Sequence, residues 1–210
     1  MIGRWTRTSS VRILIYDAGM AEYSVKPLGI ETFDAFARLV EKHNGVWGGC
    51  WCLEFHPKSS ERGKSQEGNR ELKRRLVSEG QAHAALVFDG DDAVGWCQYG
   101  SVEELPGITH RKEWEANVVV HPDYRLTCFF VDRDHRRSGV AETALHGALD
   151  LIAKAGGGVV EAYPYDTDGK KANSSFLYNG TRVLFERSGF TYERHKGKNH
   201  CVMTITVAPS

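Results

Sequence analysis

Residues 128–157 read CFFVDRDHRRSGVAETALHGALDLIAKAGG, and this is the most informative stretch of the chain. An apolar segment ends at Val131, a basic turn follows it, and Gly139 then opens a run with helical periodicity. The apolar residues of that run are Val140, Ala141, Ala144, Leu145, Ala148, Leu149 and Ile152. The stretch therefore predicts a strand, a turn and a long amphipathic helix.

The start of this helix is suited to binding phosphate. The first amide N–H groups of a helix have no partner within it and lie at the positive end of its dipole. Small residues at Gly139 and Ala141 would let a phosphate approach the backbone, and Arg133, Arg136 and Arg137 add positive charge. A diphosphate site is one interpretation. A plain strand–turn–helix unit with solvated arginines is the other.

The remaining segments place this unit in a larger sheet. Strands are predicted at 23–27, 83–88, 93–99, 126–131, 159–165, 190–193 and 201–207. Further helices are predicted from an N-cap at Thr32 to near Gly45, around Leu72 and Leu76, and over 181–188. Residues 101–123 show no clear pattern. A hairpin followed by alternating strands and helices predicts an α/β fold with a mixed sheet and helices on both faces.

Composition limits the class of protein. The 210 residues include 27 Lys and Arg against 27 Asp and Glu, so the net charge is zero, which argues against nucleic acid or an anionic membrane as partner. No apolar run approaches the ~20 residues that span a bilayer. Five cysteines without framework spacing predict reduced thiols and a cytoplasmic location. We expect an N-terminal extension over 1–19 and a single domain over 20–210.

The segment Arg136–Ala141 resembles the R/Q-x-x-G-x-G/A signature of the GCN5-related N-acetyltransferases. Its position after a strand and at the start of a long helix is also similar to that family. Downstream, VVEAYP (159–164) falls where the family has its next strand, and LFERSGF (184–190) is similar to its closing pattern. The resemblance implies a mixed, mostly antiparallel sheet flanked by helices, whose central strand pair splays apart after a bulge and binds CoA.

The resemblance also implies a cofactor site and acetyl-CoA as co-substrate, with no metal. The backbone of Phe129, Phe130 and Val131 would pair with the pantetheine arm, and the amides of Arg137 to Glu142 would hold the pyrophosphate. The residues assigned to the cofactor are Phe129, Phe130, Val131, Arg136, Arg137, Ser138, Gly139, Val140, Ala141, Glu142 and Phe185.

Acetyl transfer to an amine needs a base, an oxyanion donor and an acid for the leaving thiolate. By the resemblance, Glu161 occupies the position of a catalytic glutamate, and the amide of Val131 is the oxyanion donor. Phe185 stands where the family often has a tyrosine acid, and Tyr178 is the proposed substitute. Cys128 lies in an apolar run that would raise its pKa, so we expect direct attack and no acyl-enzyme.

The acceptor is expected to be a small-molecule primary amine. Its pocket is predicted between GGCWCLEF (48–55), Trp96–Tyr99 and the loop before Thr181. Two alternatives to an enzyme stay open at this point. One is a CoA-binding sensor that has lost efficient chemistry, suggested by Phe185. The other is a zinc-stabilised interaction domain using Cys50, Cys52, His56 and Cys97. A homodimer is also left open.

Overall fold

The computed structural model describes residues 23–57, 65–166 and 174–210, and the predicted N-terminal extension lies outside these ranges. The strands are β1 (Ser24–Pro27), β2 (His83–Asp89), β3 (Asp92–Ser101), β4 (Tyr124–Val131), β5 (Gly158–Ala162), β6 (Thr191–Lys196) and β7 (His200–Val207). The helices are α1 (Ile30–Lys42), α2 (Gln66–Ser78), α3 (Arg111–Asn117), α4 (Val140–Lys154) and α5 (Arg182–Arg187), with short 3₁₀ turns at Arg133–His135 and Ser174–Asn179.

The strands form one sheet in the order β1-β2-β3-β4-β5-β7-β6. Among the strands of the described residues, β4 and β5 are the one parallel pair, and the other neighbouring pairs are antiparallel. A parallel pair needs a crossover connection, which α4 supplies. The predicted mixed, mostly antiparallel sheet is therefore confirmed.

The central pair separates partway along its length. The pairing of β4 with β5 extends only from Tyr124 to Leu126, opposite Val160 to Ala162. Just beyond it, Tyr99 of β3 pairs with Leu126 and Gln98 with Cys128, so Thr127 is an extra residue in β4. A bulge of this kind bends a strand and increases its local twist. The predicted splay after a bulge is present.

Helices cover both faces of the sheet, as predicted. On one face, α1 and α2 pack over a core that contains Phe36, Trp96 and Cys128. On the other face, α4 packs over β2 and β3, in a core that contains Leu145 and Phe129. Consecutive residues of β4 thus contribute to opposite cores, in keeping with strand alternation.

One local prediction needs correction, and one segment without a prediction contains a helix. Helix α1 begins at Ile30 with Gly29 as its N-cap, and Thr32 is the third residue of the helix. The Thr32 hydroxyl accepts a hydrogen bond from the Gly29 amide at 2.9 Å, so it caps the helix end from inside the first turn. Residues 101–123, which show no clear pattern in sequence, contain α3. This helix buries only Trp114, so it has no apolar stripe to detect.

None of the helices formed by the described residues is both long and apolar enough to cross a bilayer.

Candidate active site

A cleft of about 590 Å³ lies where β4 has separated from β5. It is lined by His43, Val46, Trp47, Phe129, Phe130, Val131, Arg136, Ala141, Leu177, Tyr178, Gly180, Thr181 and Leu184. Its wall therefore combines the end of β4, the start of α4 and the 3₁₀ turn that precedes α5. Five of the predicted cofactor residues are in this lining: Phe129, Phe130, Val131, Arg136 and Ala141.

The turn from β4 to α4 is held by Asp132, which is 3% exposed. Its carboxylate accepts hydrogen bonds from Lys42 Nζ at 2.7 Å and from the Asp134 amide at 3.1 Å, and it lies 3.3 Å from His43 Nε2. Burial acts to raise the pKa of Asp132, but the hydrogen bonds from Lys42 and the Asp134 amide, together with the nearby charge of Lys42, outweigh it, and the pKa lies below its usual value. The end of α1 is thereby tied to the turn that leads into α4. Sequence reasoning missed Asp132, because one acid in a charged turn forms no pattern.

The start of α4 borders the cleft. Gly139 is its N-cap with φ of +86°, in the left-handed region that favours glycine. Arg136 and Ala141, one on each side of that cap, both line the cleft. Ser138 accepts a hydrogen bond from the Tyr23 hydroxyl at 2.9 Å and donates one to His135 O at 2.5 Å. The side chains of Arg137 and Glu142 are exposed.

Two predicted cofactor residues belong to the core through their side chains. Val140 is 1% exposed and Phe185 is fully buried. The Phe185 ring lies between Phe129, at 5.8 Å between centroids, and Phe190, at 4.9 Å. The side chain of Phe185 thus supports the cleft from beneath and does not line it. The side chain of Val140 likewise faces the core at the start of α4 and supports the cleft without lining it.

Tyr178 lies in the 3₁₀ turn beside the separated part of β4. Asn179 Nδ2 donates to Thr127 O at 2.5 Å, which fastens this turn to the bulged residue. The Tyr178 ring meets Trp47 at 5.8 Å and Phe55 at 6.3 Å between centroids. Burial raises the pKa of Tyr178, so its phenol carries a proton at neutral pH. Its hydroxyl therefore has a proton that it can donate at neutral pH.

A second pocket of about 350 Å³ adjoins the cleft, because Trp47 and Tyr178 line both. Its lining consists of Trp47, Gly48, Gly49, Cys50, Cys52, Glu54, Phe55, Asn69, Cys128 and Tyr178. The GGCWCLEF segment thus lines a pocket next to the cleft, as the acceptor-pocket prediction requires. We call this second pocket the acceptor-side pocket.

Trp51 and Trp96 depart from that prediction. They are 2% and 1% exposed and belong to the core beneath α1. Trp96 stacks on Phe130 at 4.8 Å and packs against Phe36 at 5.0 Å between centroids. Neither tryptophan lines the acceptor-side pocket, so their contribution is to support Phe130 and the surrounding segment.

Glu161, the predicted base, lies outside both pockets. Its carboxylate is 1% exposed and accepts from Trp114 Nε1 at 2.8 and 3.0 Å, and also from the Tyr163 hydroxyl. In the sheet Glu161 is level with Arg125, six residues before Val131, which is ~20 Å along an extended strand. Because β5 leaves β4 at Leu126, a residue on β5 stays far from the end of β4. The assignment of Glu161 as the base therefore needs correction.

The cysteines do not assemble as the zinc alternative requires. Cys97 belongs to the core under α4, whereas Cys52 lies in the core on the opposite face of the sheet. His56 is hydrogen-bonded within the core, and burial together with the Lys73 charge lowers its pKa to about 2. Across the described ranges, no three His, Cys, Asp or Glu side chains are grouped as metal ligands.

The chain matches solved structures of acetyltransferases. The chain matches histone acetyltransferase HPA2 and related acetyltransferase from Corynebacterium glutamicum, at 16% identity and a TM-score of 0.51, over 90% of this chain and 97% of that one. It matches an N-acetyltransferase from Staphylococcus aureus Mu50 at 9% identity and 0.51, over 88% and 98%. It also matches PaiA N-acetyltransferase from Thermoplasma acidophilum, solved in complex with coenzyme A, at 13% and 0.50, over 88% and 98%.

No protein-family model matches the sequence, and no curated sequence is significantly similar to it. The likeness is therefore one of three-dimensional structure. Three observations point to the same fold: the sheet order, the splayed β4–β5 pair and the matching solved structures. The chain has the fold of the GCN5-related N-acetyltransferases.

Proposed function

We propose that this chain is an acyl-CoA-dependent N-acyltransferase that moves the acetyl group of acetyl-CoA to the primary amine of a small molecule by direct attack. The observation that carries the proposal is the edge of β4 beyond Leu126. There the strand has left β5, a cleft has opened beside it, and α4 begins at the same end. An extended ligand arm can add to such an edge as a further strand would.

In this proposal the pantetheine arm lies along Phe129, Phe130 and Val131, and the pyrophosphate lies at the N-terminus of α4. The helix start supplies unpaired amides and the positive end of a dipole, and Arg136 adds a cation in the cleft wall. The relative from Thermoplasma acidophilum, solved with coenzyme A, shares the fold that supports this placement.

The acceptor amine enters through the acceptor-side pocket, which adjoins the cleft at Trp47 and Tyr178. Exposed Glu54 and the aromatic rings of Trp47, Phe55 and Tyr178 suit an ammonium group, through charge and cation–π attraction. The amine attacks the thioester carbonyl, the Val131 amide stabilises the oxyanion, and Tyr178 protonates the departing thiolate.

The amine must lose a proton before it attacks, and we assign its removal to His43. This histidine lines the cleft, and its ring packs against Phe130 at 4.9 Å between centroids. Asp132 lies 3.3 Å from Nε2, which favours the tautomer with the proton there and leaves Nδ1 as the basic nitrogen. Glu161 has no part in this step, because both of its oxygens accept hydrogen bonds in the core.

Turnover of acetyl-CoA with a panel of amines, followed by the release of free thiol, tests this function. The panel should contain polyamines, aminosugars and amino acids as small primary amines. It should also contain lysine-containing peptides, because one structural neighbour is named a histone acetyltransferase. We expect thiol release with at least one small amine and loss of the rate in His43→Asn. Release only with peptides would contradict the small-molecule acceptor.

A CoA-binding sensor is the second candidate, and Phe185 is the observation that favours it. The position that could supply a tyrosine acid carries a phenyl ring that is buried in the core. CoA binding without thiol release for any amine in the panel would favour the sensor over the enzyme.

A further inference from the structure

Two thiols meet at the floor of the acceptor-side pocket. The sulfur atoms of Cys52 and Cys128 lie 3.0 Å apart, although the two residues are 76 positions apart in sequence. Cys52 comes from the segment after α1 and Cys128 from β4, so the pair spans the acceptor side and the cofactor strand. Both are nearly buried, at 2% and 3% exposed, yet both line the pocket, whose rim includes exposed Trp47 and Glu54. A small solute can therefore reach sulfur atoms that are close enough to bond after a shift of ~1 Å.

A buried lysine lies near these thiols. Lys73 of α2 is 1% exposed, and its Nζ lies 3.3 Å from His56 Nε2. Within the described part of the chain, no carboxylate lies within ion-pair distance of Lys73. A buried charge without a counter-ion is costly, so burial lowers the pKa of Lys73, and negative charge on Cys52 or Cys128 acts in the opposite direction. A thiolate in the cysteine pair would supply the negative charge that stabilises a charged Lys73.

We propose that Cys52 and Cys128 are a peroxide-sensitive dithiol, which a hydroperoxide converts to a disulfide and a small thiol returns to the reduced form. The Cys52 thiolate attacks one peroxide oxygen, the O–O bond breaks, and the departing hydroxide takes up a proton as water. Cys128 then attacks the sulfur of the Cys52 sulfenic acid and loses its proton, and a second water leaves. In total two thiols and one hydrogen peroxide give one disulfide and two waters.

The environment assigns different roles to the two sulfurs. Burial acts to raise the pKa of Cys52, but the hydrogen bond from Cys128 and the charge of Lys73 outweigh it, so the pKa lies below its usual value. The bond with Cys52, and then burial, raise the pKa of Cys128 well above its usual value. Cys52 is therefore the attacking thiolate and Cys128 the thiol that resolves the sulfenic acid.

The disulfide would tie the segment after α1 to β4 and alter the floor of the acceptor-side pocket. This consequence for acceptor binding rests on the proposed function, but the oxidation itself does not. Thiol oxidation can be measured by mass spectrometry without measuring acetyl transfer. A failure of this proposal and a failure of the proposed function can therefore be told apart.

The whole chain is treated with a small excess of hydrogen peroxide, alkylated with N-ethylmaleimide and analysed by intact-mass and peptide mass spectrometry. We expect the loss of two hydrogen atoms, two fewer alkylated thiols, and a peptide that links Cys52 to Cys128. Dithiothreitol should restore both thiols. Cys97→Ser and Cys201→Ser remove buried thiols elsewhere, and they should behave as the wild type.

Two variants separate the roles. In Cys128→Ser the reaction should stop at a sulfenic acid on Cys52 that dimedone traps. Lys73→Met should slow the peroxide reaction about tenfold or more, because each unit of pKa is a factor of ten in thiolate. A link that uses Cys50, a dimedone adduct on Cys50, or unchanged thiols after peroxide would overturn the proposal. If Lys73→Met does not fold, the Cys128→Ser experiment still tests whether peroxide converts Cys52 to a sulfenic acid.

Discussion

At the scale of single residues, the proposed role of Tyr178 can be tested by substitution. Tyr178 lines both the cleft and the acceptor-side pocket. Tyr178→Phe keeps the ring contacts with Trp47 and Phe55 and removes only the hydroxyl. We expect kcat to fall about ten- to a hundredfold, at or below the low end for a general acid, since a thiol of pKa near 8.5 leaves readily.

CoA affinity should stay unchanged in Tyr178→Phe, which separates the loss of an acid from damage to the cleft. Tyr192→Phe, on β6, provides a matched control that should keep full activity. Wild-type kcat in Tyr178→Phe would remove this tyrosine from the mechanism. Steady-state kinetics with a binding measurement distinguishes these outcomes.

Glu161 illustrates the opposite case, a residue whose importance is structural. Its carboxylate accepts from Trp114 and Tyr163 in the core and lies near the Lys196 charge. Glu161→Gln weakens these contacts, and we expect the free energy of unfolding to fall by about 1–3 kcal/mol. The pH–rate profile should keep its shape. If the pH–rate profile of Glu161→Gln lost its acidic limb while the free energy of unfolding stayed unchanged, Glu161 would take part in catalysis.

At the scale of elements, the start of α4 is the feature on which cofactor binding depends. Gly139 has φ of +86°, so Gly139→Val places a β-branched residue in the left-handed region and adds bulk where the phosphate would approach. We expect CoA affinity to fall by at least a hundredfold while far-ultraviolet circular dichroism stays native.

Gly80→Val is the matched control for backbone strain. Gly80 also has a positive φ, of +67°, and a Cβ there would meet no atom within 4 Å. Both variants should lose comparable stability, and only Gly139→Val should lose CoA binding. Equal CoA affinity in the two variants would mean that the cofactor binds elsewhere.

The elements also show how far sequence reasoning reaches. The strand, turn and helix over 126–154 could be predicted because periodicity and a short motif lie next to each other in the chain. The position of Glu161 relative to the cleft could not, because it depends on where β5 separates from β4. The contact between Cys52 and Cys128 depends on sheet register and on a loop with positive φ at Trp51 and Cys52, which no local pattern encodes.

At the scale of the whole molecule, the buried His56 should make stability fall with acid. Its pKa is lowered to about 2 by burial and by the Lys73 charge, whereas in the unfolded chain it is near 6.5. Below about pH 6.5 the unfolded state therefore takes up a proton that the folded state cannot, and unfolding becomes easier. Between pH 6.5 and 4.5 the linkage corresponds to a loss of about 2–3 kcal/mol.

Urea unfolding at the two pH values measures this loss. His56→Gln removes the titrating group and keeps hydrogen-bonding atoms for Lys73 and Gln98, so this variant should lose clearly less stability over the same interval. His146→Gln, on α4, should lose as much as the wild type. An equal loss in all three proteins would show that His56 is charged in the fold or accessible to water.

A crystal structure of the protein grown with CoA tests whether CoA binds in the cleft between the end of β4 and the start of α4. We expect the pyrophosphate at the amides after Gly139, the pantetheine arm paired with the backbone of Phe129 to Val131, and the thiol directed toward Tyr178. CoA bound at another surface, or the pyrophosphate placed away from α4, would contradict this placement.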